Sequence, residues 1–430
     1  MRILWLCNIC LPVIAKSLGM VASSKEGWLS GLSGELIRNA KENKNELAVC
    51  FPLKDLQPGT YQKGEVAGLT FYGFYENTAK ETYYEKTMEP VFCEILEDYQ
   101  PDLVHIFGTE FPHSLALAKA FGRPERTLIG LQGLCLACAD HYMDGIPKWV
   151  QKRVTLRDFL KQDSIVQQQK KFYKRAVHET EALKLTGNVT GRTEFDRAYA
   201  KSVNSDAKYH FMNETLRSEF YGKEWRMEHC VRHSIFVSQG DYPLKGLHLA
   251  LEALPYIRKV IPDVRLLVGG NSIVSTANWK DRLKRSSYGR YLLWLIKKEN
   301  LWENVTFTGM LNAEEMCSRM LSCHVFLSAS MIENSPNSVG EAMLLGVPVV
   351  ASEVGGVPDL LVKEEEGLFF PSLEANLLAH QVVRIFSDDA LALKLSDGAK
   401  KRAVQTHNAK VNYNRLLEIY HEIYHGEDLG

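Results

Sequence analysis

The stretch from Ser328 to Asp359 reads SASMIENSPNSVGEAMLLGVPVVASEVGGVPD. An apolar run, HVFLS (His324–Ser328), leads into it and ends in a polar loop. The pattern predicts a helix from about Ser338, then a Gly-Val-Pro turn, then a second apolar run that stops at Gly355–Gly356. Two short apolar runs joined through a helix read as parallel strands whose sheet is covered on both faces. Two carboxylates fall inside the unit, eight positions apart: Glu333 in the loop and Glu341, expected in the first helical turn.

A helix that starts just after a strand offers free N–H groups and a partial positive charge, which suits a phosphate. An ionised glutamate accepts two hydroxyl hydrogen bonds at once, which suits a sugar or a ribose. Phosphate and hydroxyl recognition side by side describe a sugar nucleotide. Other readings compete: Ser338-Val-Gly-Glu341 also spells a capping box, S-x-x-E, which needs no ligand. Glu333 is equally readable as a solvated loop charge.

The same alternation extends outward in both directions. In the first half Arg2–Leu6, Leu47–Phe51, Leu103–Phe107 and Thr127–Leu131 read as strands. Helical periodicity occupies Leu29–Lys41, Pro90–Leu96 and Phe111–Phe121 between them. In the second half the strands are Ser234–Ser238, Val264–Val268, Val305–Thr308, Val325–Ser328 and Val347–Ala351, with helices at Leu247–Lys259, Ala313–Leu321 and Val339–Leu345. The polar, aromatic stretch from Asn213 to Arg232 is the expected boundary. The expectation is α/β, with two doubly wound parallel-sheet domains: 1–213, and 214–408, with a ligand cleft outside the carboxyl ends of the strands. A last helix in 409–430 carries Tyr413, Leu416, Leu417, Tyr420, Ile423 and Tyr424 on one face, and is expected to cap the second domain or to cross back onto the first.

Composition narrows the function classes. The chain has 430 residues, 45% hydrophobic and 24% charged, which is globular and too long for one ordinary core. A net charge of −1 argues against a globally basic nucleic-acid binder. No apolar run reaches the ~18 residues of a membrane span. The N-terminal MRILWLCNICLPVIA reads as a strand and loop rather than a signal peptide, because Asn8 and Pro12 interrupt its apolar core. Nine cysteines, an odd count, read as reduced thiols, so a cytoplasmic location is expected, including the inner face of the membrane. Cys7–Cys10 and Cys135–Cys138 have zinc half-site spacing but read as buried thiols beside strands.

The block E-x7-E, helix, G-V-P-V-V-A-S and Gly-Gly loop resembles the family-4 retaining glycosyltransferases of the GT-B fold, glycosyl transferases group 1. FVSQGDYPLKGLHLALEALP (Phe236–Pro255), LLVGGN (Leu266–Asn271) and VTFTGML (Val305–Leu311) resemble that family's preceding strands and their terminal loops. PDLVHIFGTE (Pro101–Glu110) and LIGLQGL (Leu128–Leu134) match the order of strands and loops in its first domain. The resemblance implies that Glu333 holds hydroxyls of the donor sugar, Glu341 the ribose hydroxyls, and Lys245 the diphosphate. It implies that Asn334, Ser335, Asn337 and Ser338 supply donors to phosphate and sugar, and that Gly27 lies in the glycine loop that approaches diphosphate and acceptor. No metal and no other cofactor is expected, since no D-x-D stands in a strand-end loop.

Two positions depart from the family's pattern. An Arg normally precedes the Lys-Gly pair where this chain has Gly240, so one diphosphate cation is missing; Arg192 or a residue near Asn271 is the expected substitute. The family's His-Gly becomes Gln132–Gly133, and Gln cannot be protonated. His105 and His113 are expected near the cleft, as structural histidines in the first instance.

The resemblance implies retaining, metal-independent transfer of a sugar from a nucleotide diphosphate, UDP-sugar first and GDP-mannose second, to a hydroxyl of a sugar or lipid-linked sugar. Surface polysaccharide or glycolipid synthesis would use such a reaction. The alternatives are a non-catalytic partner subunit, favoured by Gly240 and Gln132, and a sugar-nucleotide epimerase or hydrolase. Two basic amphipathic stretches, 147–162 with 170–175, and 280–298, are compatible with peripheral contact with an anionic membrane. Nucleic acid is not an expected partner.

Overall fold

The computed structural model describes residues 1–20, 27–43, 45–274 and 283–426. They form two compact units, Met1–Leu136 with Lys171–Arg217 and His407–Gly430, and Ala137–Lys170 with Ser218–Thr406.

The first unit is built on one sheet: β1 (Arg2–Cys7), β2 (Glu46–Leu53), β3 (Tyr61–Val66), β4 (Leu69–Tyr75), β5 (Leu103–Phe107), β6 (Thr127–Gly130), β7 (Asn188–Gly191) and β8 (Lys208–Phe211). Their order is β3-β4-β2-β1-β5-β6-β7-β8, parallel except for the β3–β4 hairpin at one edge. β5 (LVHIF) is buried at every residue and β1 (RILWLC) at all but its first, as central parallel strands covered on both faces must be.

The final helix, Ala409–His425, belongs to this unit. The Asn408 side chain caps it by accepting from Val411 N, and its Tyr413, Leu416, Ile419, Tyr420 and Ile423 join a core that contains Trp5, Phe51 and Leu29. Inside that core Trp5 Nε1 donates to Tyr420 Oη at 2.8 Å, and Tyr420 Oη lies 2.7 Å from His105 Nδ1.

The second unit has β9 (Val231–Val237), β10 (Arg265–Gly269), β11 (Val305–Gly309), β12 (Cys323–Ser328), β13 (Val349–Ser352) and β14 (Leu368–Phe370), in the order β11-β10-β9-β12-β13-β14, all parallel. This is the doubly wound order of a nucleotide-binding sheet, with a switch point between β9 and β12, where successive connections leave in opposite directions.

Every strand expected from the apolar runs forms. β3, β4, β7, β8 and β14 escape the pattern: β3 (YQKGEV) is a polar edge strand, and β7, β8 and β14 are four residues or fewer. β4 (LTFYGFY) is aromatic enough to have been read as a strand. The boundaries differ too. Residues 137–170, expected in the first domain, group with the second unit, and residues from His407 onward with the first.

Candidate active site

In the second unit the loops after β9 and β12 meet at the switch point. Met331 N donates to Leu244 O at 2.8 Å, which ties the two loops together. Gly246 closes the β9 loop at φ +65°, and a Cβ there would stand 1.8 Å from Ala329 O. Only glycine fits both the left-handed turn and the contact. This approach sets Lys245 Nζ 2.5 Å from Glu333 Oε1, 88 residues away in sequence. Ser330 Oγ donates to the same oxygen at 2.7 Å, and Gly356 N donates to Glu333 O at 3.1 Å.

The Lys245 and Glu333 side chains are 24% and 15% exposed, sheltered yet reachable from solvent. Burial opposes the charge on Lys245, but the adjacent Glu333 carboxylate outweighs it and holds the lysine pKa above its ordinary value. The ammonium therefore stays charged throughout the neutral range.

The helix Asn337–Leu345 follows the β12 loop, with Pro336 at its N-cap and no side-chain capping bond. Glu341 is therefore its fifth residue and not the far end of a Ser338 capping box; it is buried among Val339, Ala342 and Leu345. Asn334 is buried, while Ser335, Asn337 and Ser338 are half-buried at the same loop and first turn. Lys245, Glu333, Glu341 and these four residues thus share one end of one sheet.

Asn271 lies exposed in the loop after β10 of the same unit. Gly240 departs from the expectation of a ligand-facing position. Its Cβ direction meets Leu247 Cδ2 at 2.6 Å and Val268 Cγ1 at 2.7 Å, so core atoms fill the space an arginine side chain would enter. Ser330 and Asp241 are additions that sequence did not suggest. Asp241 Oδ1 is buried and meets no hydrogen-bond partner among the described residues.

The remaining expected residues lie in the first unit. Gln132 Nε2 donates to Glu214 Oε1 at 2.8 Å, and Arg192 Nη2 lies 3.4 Å from Glu214 Oε2. Arg192 is buried there with its charge committed to Glu214, which does not suit the expected role of a substitute diphosphate cation. These three line a cavity of about 20 Å³ together with His105, Thr190 and Thr215. Buried His105 Nε2, Thr190 Oγ1 and Thr215 Oγ1 meet no partner among the described residues, and the volume suits one water molecule. Burial pushes the His105 pKa down to about 3, so its imidazole is neutral.

A second polar cluster stands where the loops after β1 and β5 meet. Asn8 Nδ2 donates to Glu110 Oε2 at 3.1 Å, and Gly133 N donates to Glu110 Oε1 at 2.7 Å. The His113 ring bridges Asn8 Oδ1 at 2.8 Å and Glu76 Oε2 at 2.5 Å. Both His105 and His113 are wholly enclosed, as structural histidines are. Asn8, Glu76 and Glu110 were not among the site residues expected from the sequence. The only local signal was Glu110 itself, a carboxylate two residues after a strand-end glycine. Gly27, expected in the glycine loop, is the first residue of the helix Gly27–Asn43, and residues 21–26 before it lie outside the described residues.

Residues 232–402 match the family described as Glycosyl transferases group 1. Among curated proteins, the chain is 26% identical over 191 residues to a phosphatidyl-myo-inositol mannosyltransferase of Mycobacterium leprae, covering 44% of this chain and 46% of that protein. The chain thus spans about half the length of these curated relatives. Among solved structures, sucrose-phosphate synthase of Thermosynechococcus elongatus superposes with a TM-score of 0.70 at 15% identity, over 99% of this chain and 100% of that one. Anabaena Alr3699/HepE in complex with UDP-glucose superposes with a TM-score of 0.64 at 16% identity, over 97% and 99%. The second unit therefore resembles the glycosyl transferases group 1 across residues 232–402, and the fold shared along the chain's length is GT-B, with two Rossmann-like domains.

Proposed function

We propose that this chain is a retaining glycosyltransferase that takes its sugar from a nucleotide diphosphate without a metal ion. The observation that carries the reading is the Lys245–Glu333 pair at the switch point of the second sheet, where doubly wound folds bind nucleotides. In the free chain the two charges satisfy each other. An incoming diphosphate competes for the Lys245 ammonium and releases the Glu333 carboxylate to hold sugar hydroxyls. Glu341, behind the same loop, takes the ribose.

The step balances without a protein base. The bond from the sugar's anomeric carbon to the phosphate oxygen breaks, with its electron pair going to that oxygen. The acceptor oxygen bonds to the anomeric carbon from the same face, and its proton passes to the leaving phosphate. Gln132, which cannot be protonated, is then no obstacle. Lys245 stabilises charge that grows on the diphosphate as the bond breaks, which lowers the barrier rather than merely tightening binding.

UDP-sugar is the favoured donor, supported by the Anabaena neighbour solved with UDP-glucose. GDP-mannose stands second, supported by the mannosyltransferase relatives. The acceptor is a hydroxyl of a sugar or lipid-linked sugar, in polysaccharide or glycolipid synthesis. Calorimetric titration with UDP, GDP, ADP and dTDP in the absence of metal tests the reading, followed by the anomeric configuration of any product. Selective binding of one diphosphate and a retained configuration are expected. Silence from all four would favour a non-catalytic partner subunit, a role consistent with the core-filled position at Gly240.

A further inference from the structure

Between residues 148 and 162 the second unit carries two short helices, Lys148–Gln151 and Leu156–Lys161, and the polarity of the second is inverted. Its one buried residue is Asp158, wholly enclosed, whereas Leu156, Phe159 and Leu160 are 61, 71 and 72% exposed. Val154 and Trp149 are about half exposed. A helix of a globular domain normally turns its apolar face inward.

The inversion is firmly held. Asp158 Oδ2 accepts from Ser287 N at 2.9 Å and from Thr155 N at 3.1 Å, and Thr155 Oγ1 accepts in return from Asp158 N. Ile146, Val150 and Ile165 are buried on either side. Trp149 packs edge-on against Trp294, ring centres 5.5 Å apart, and Trp294 is itself half exposed. The apolar side chains therefore stand on an anchored platform and not on a stray loop.

The charges are one-sided. Arg157 is paired with Asp158 and with Asp163 at 2.7 Å, which leaves Lys148, Lys152, Arg153 and Lys161 as exposed cations, and residues 148–162 carry no acid other than the enclosed Asp158. Clustered exposed apolar residues mark an interaction surface. A two-fold contact between copies of the chain would set these cations against themselves. An anionic bilayer satisfies both features, since apolar side chains enter the acyl boundary while Lys and Arg meet headgroup phosphates.

We propose that this platform docks the second unit onto an anionic phospholipid bilayer, with Leu156, Phe159 and Leu160 inserted and Trp149 and Trp294 at headgroup level. The inference goes beyond the transferase reading and stands without it, because it needs neither donor nor acceptor. Flotation with vesicles of phosphatidylcholine, with and without equal phosphatidylglycerol, tests it. The chain is expected to float with the mixed vesicles only, and less as salt rises. The F159S/L160S variant should lose at least about tenfold in partition, with its thermal midpoint and nucleotide binding unchanged, because both side chains are exposed. Wild-type chain left at the bottom with both vesicles would overturn the proposal. So would a double variant that floats like wild type, or sedimentation showing a dimer that the double variant abolishes.

Discussion

Lys245 Nζ and Glu333 Oε1 lie 2.5 Å apart although 88 residues separate them, because β9 and β12 are neighbours at the centre of the second sheet. Each residue is delivered by a loop at the carboxyl end of its strand, and the Met331–Leu244 backbone bond fixes the distance between the loops. A sheltered pair that solvent still reaches can be opened by a stronger anion, which is what a diphosphate is.

Lys245→Ala should weaken UDP binding by about ten- to a hundredfold, the size of a hydrogen bond to a charged group. Uridine should bind as before. Calorimetry with both ligands checks this, and an equal loss for the two would remove Lys245 from the diphosphate.

Glu333→Gln should lower the transfer rate by roughly a hundredfold, as expected when a group aimed at the reacting sugar is neutralised. UDP affinity should hold or rise slightly, since Lys245 no longer has a carboxylate competing for it. A collapse of UDP binding would instead place Glu333 on the nucleotide.

Gly246→Ala adds a methyl that the contact with Ala329 O excludes and that the left-handed turn disfavours. It should destabilise the second unit by about 1–3 kcal/mol and reduce UDP affinity with it. Thermal unfolding with and without UDP reads both effects, and an unchanged midpoint would contradict the loop contact.

Acid should destabilise the fold through buried neutral histidines. Burial lowers the pKa of His105 to about 3, His248 to about 4 and His407 to about 3. Unfolded, each binds a proton near pH 6.5, so the unfolded state holds more protons below that pH. Stability should therefore be fully present above pH 6.5 and fall toward pH 4, by up to about 1.4 kcal/mol per pH unit for each such histidine. Urea unfolding from pH 7.5 to 4.5 measures the slope, and His248→Asn should flatten it. A pH-independent midpoint would mean that these rings are accessible to protons in the native state.

The fold class was written in the local pattern. Uninterrupted apolar runs such as HVFLS and LVHIF have no solvated face, and their alternation with helical periodicity leaves parallel sheets as the only consistent outcome. The same text put Lys245 and Glu333 in strand-end loops, where a doubly wound sheet places ligands, and Glu341 in the helix that follows the second loop. Short or polar strands such as β7 and β3 stayed hidden because periodicity over four residues, or on an edge open to water, carries little signal.

Long-range pairing lay beyond any local pattern. That Glu341 is buried in the second turn and not a cap follows from where Pro336 starts the helix, and that Gly240 leaves no room for a side chain follows from Leu247 and Val268. The Asn8–Glu110 and Gln132–Glu214 contacts join residues 102 and 82 positions apart. Sequence spacing sets periodicity and therefore secondary structure. Which polar groups meet, and which apolar ones are left outside, depends on how strands order themselves in the sheet, and only packing in three dimensions settles that.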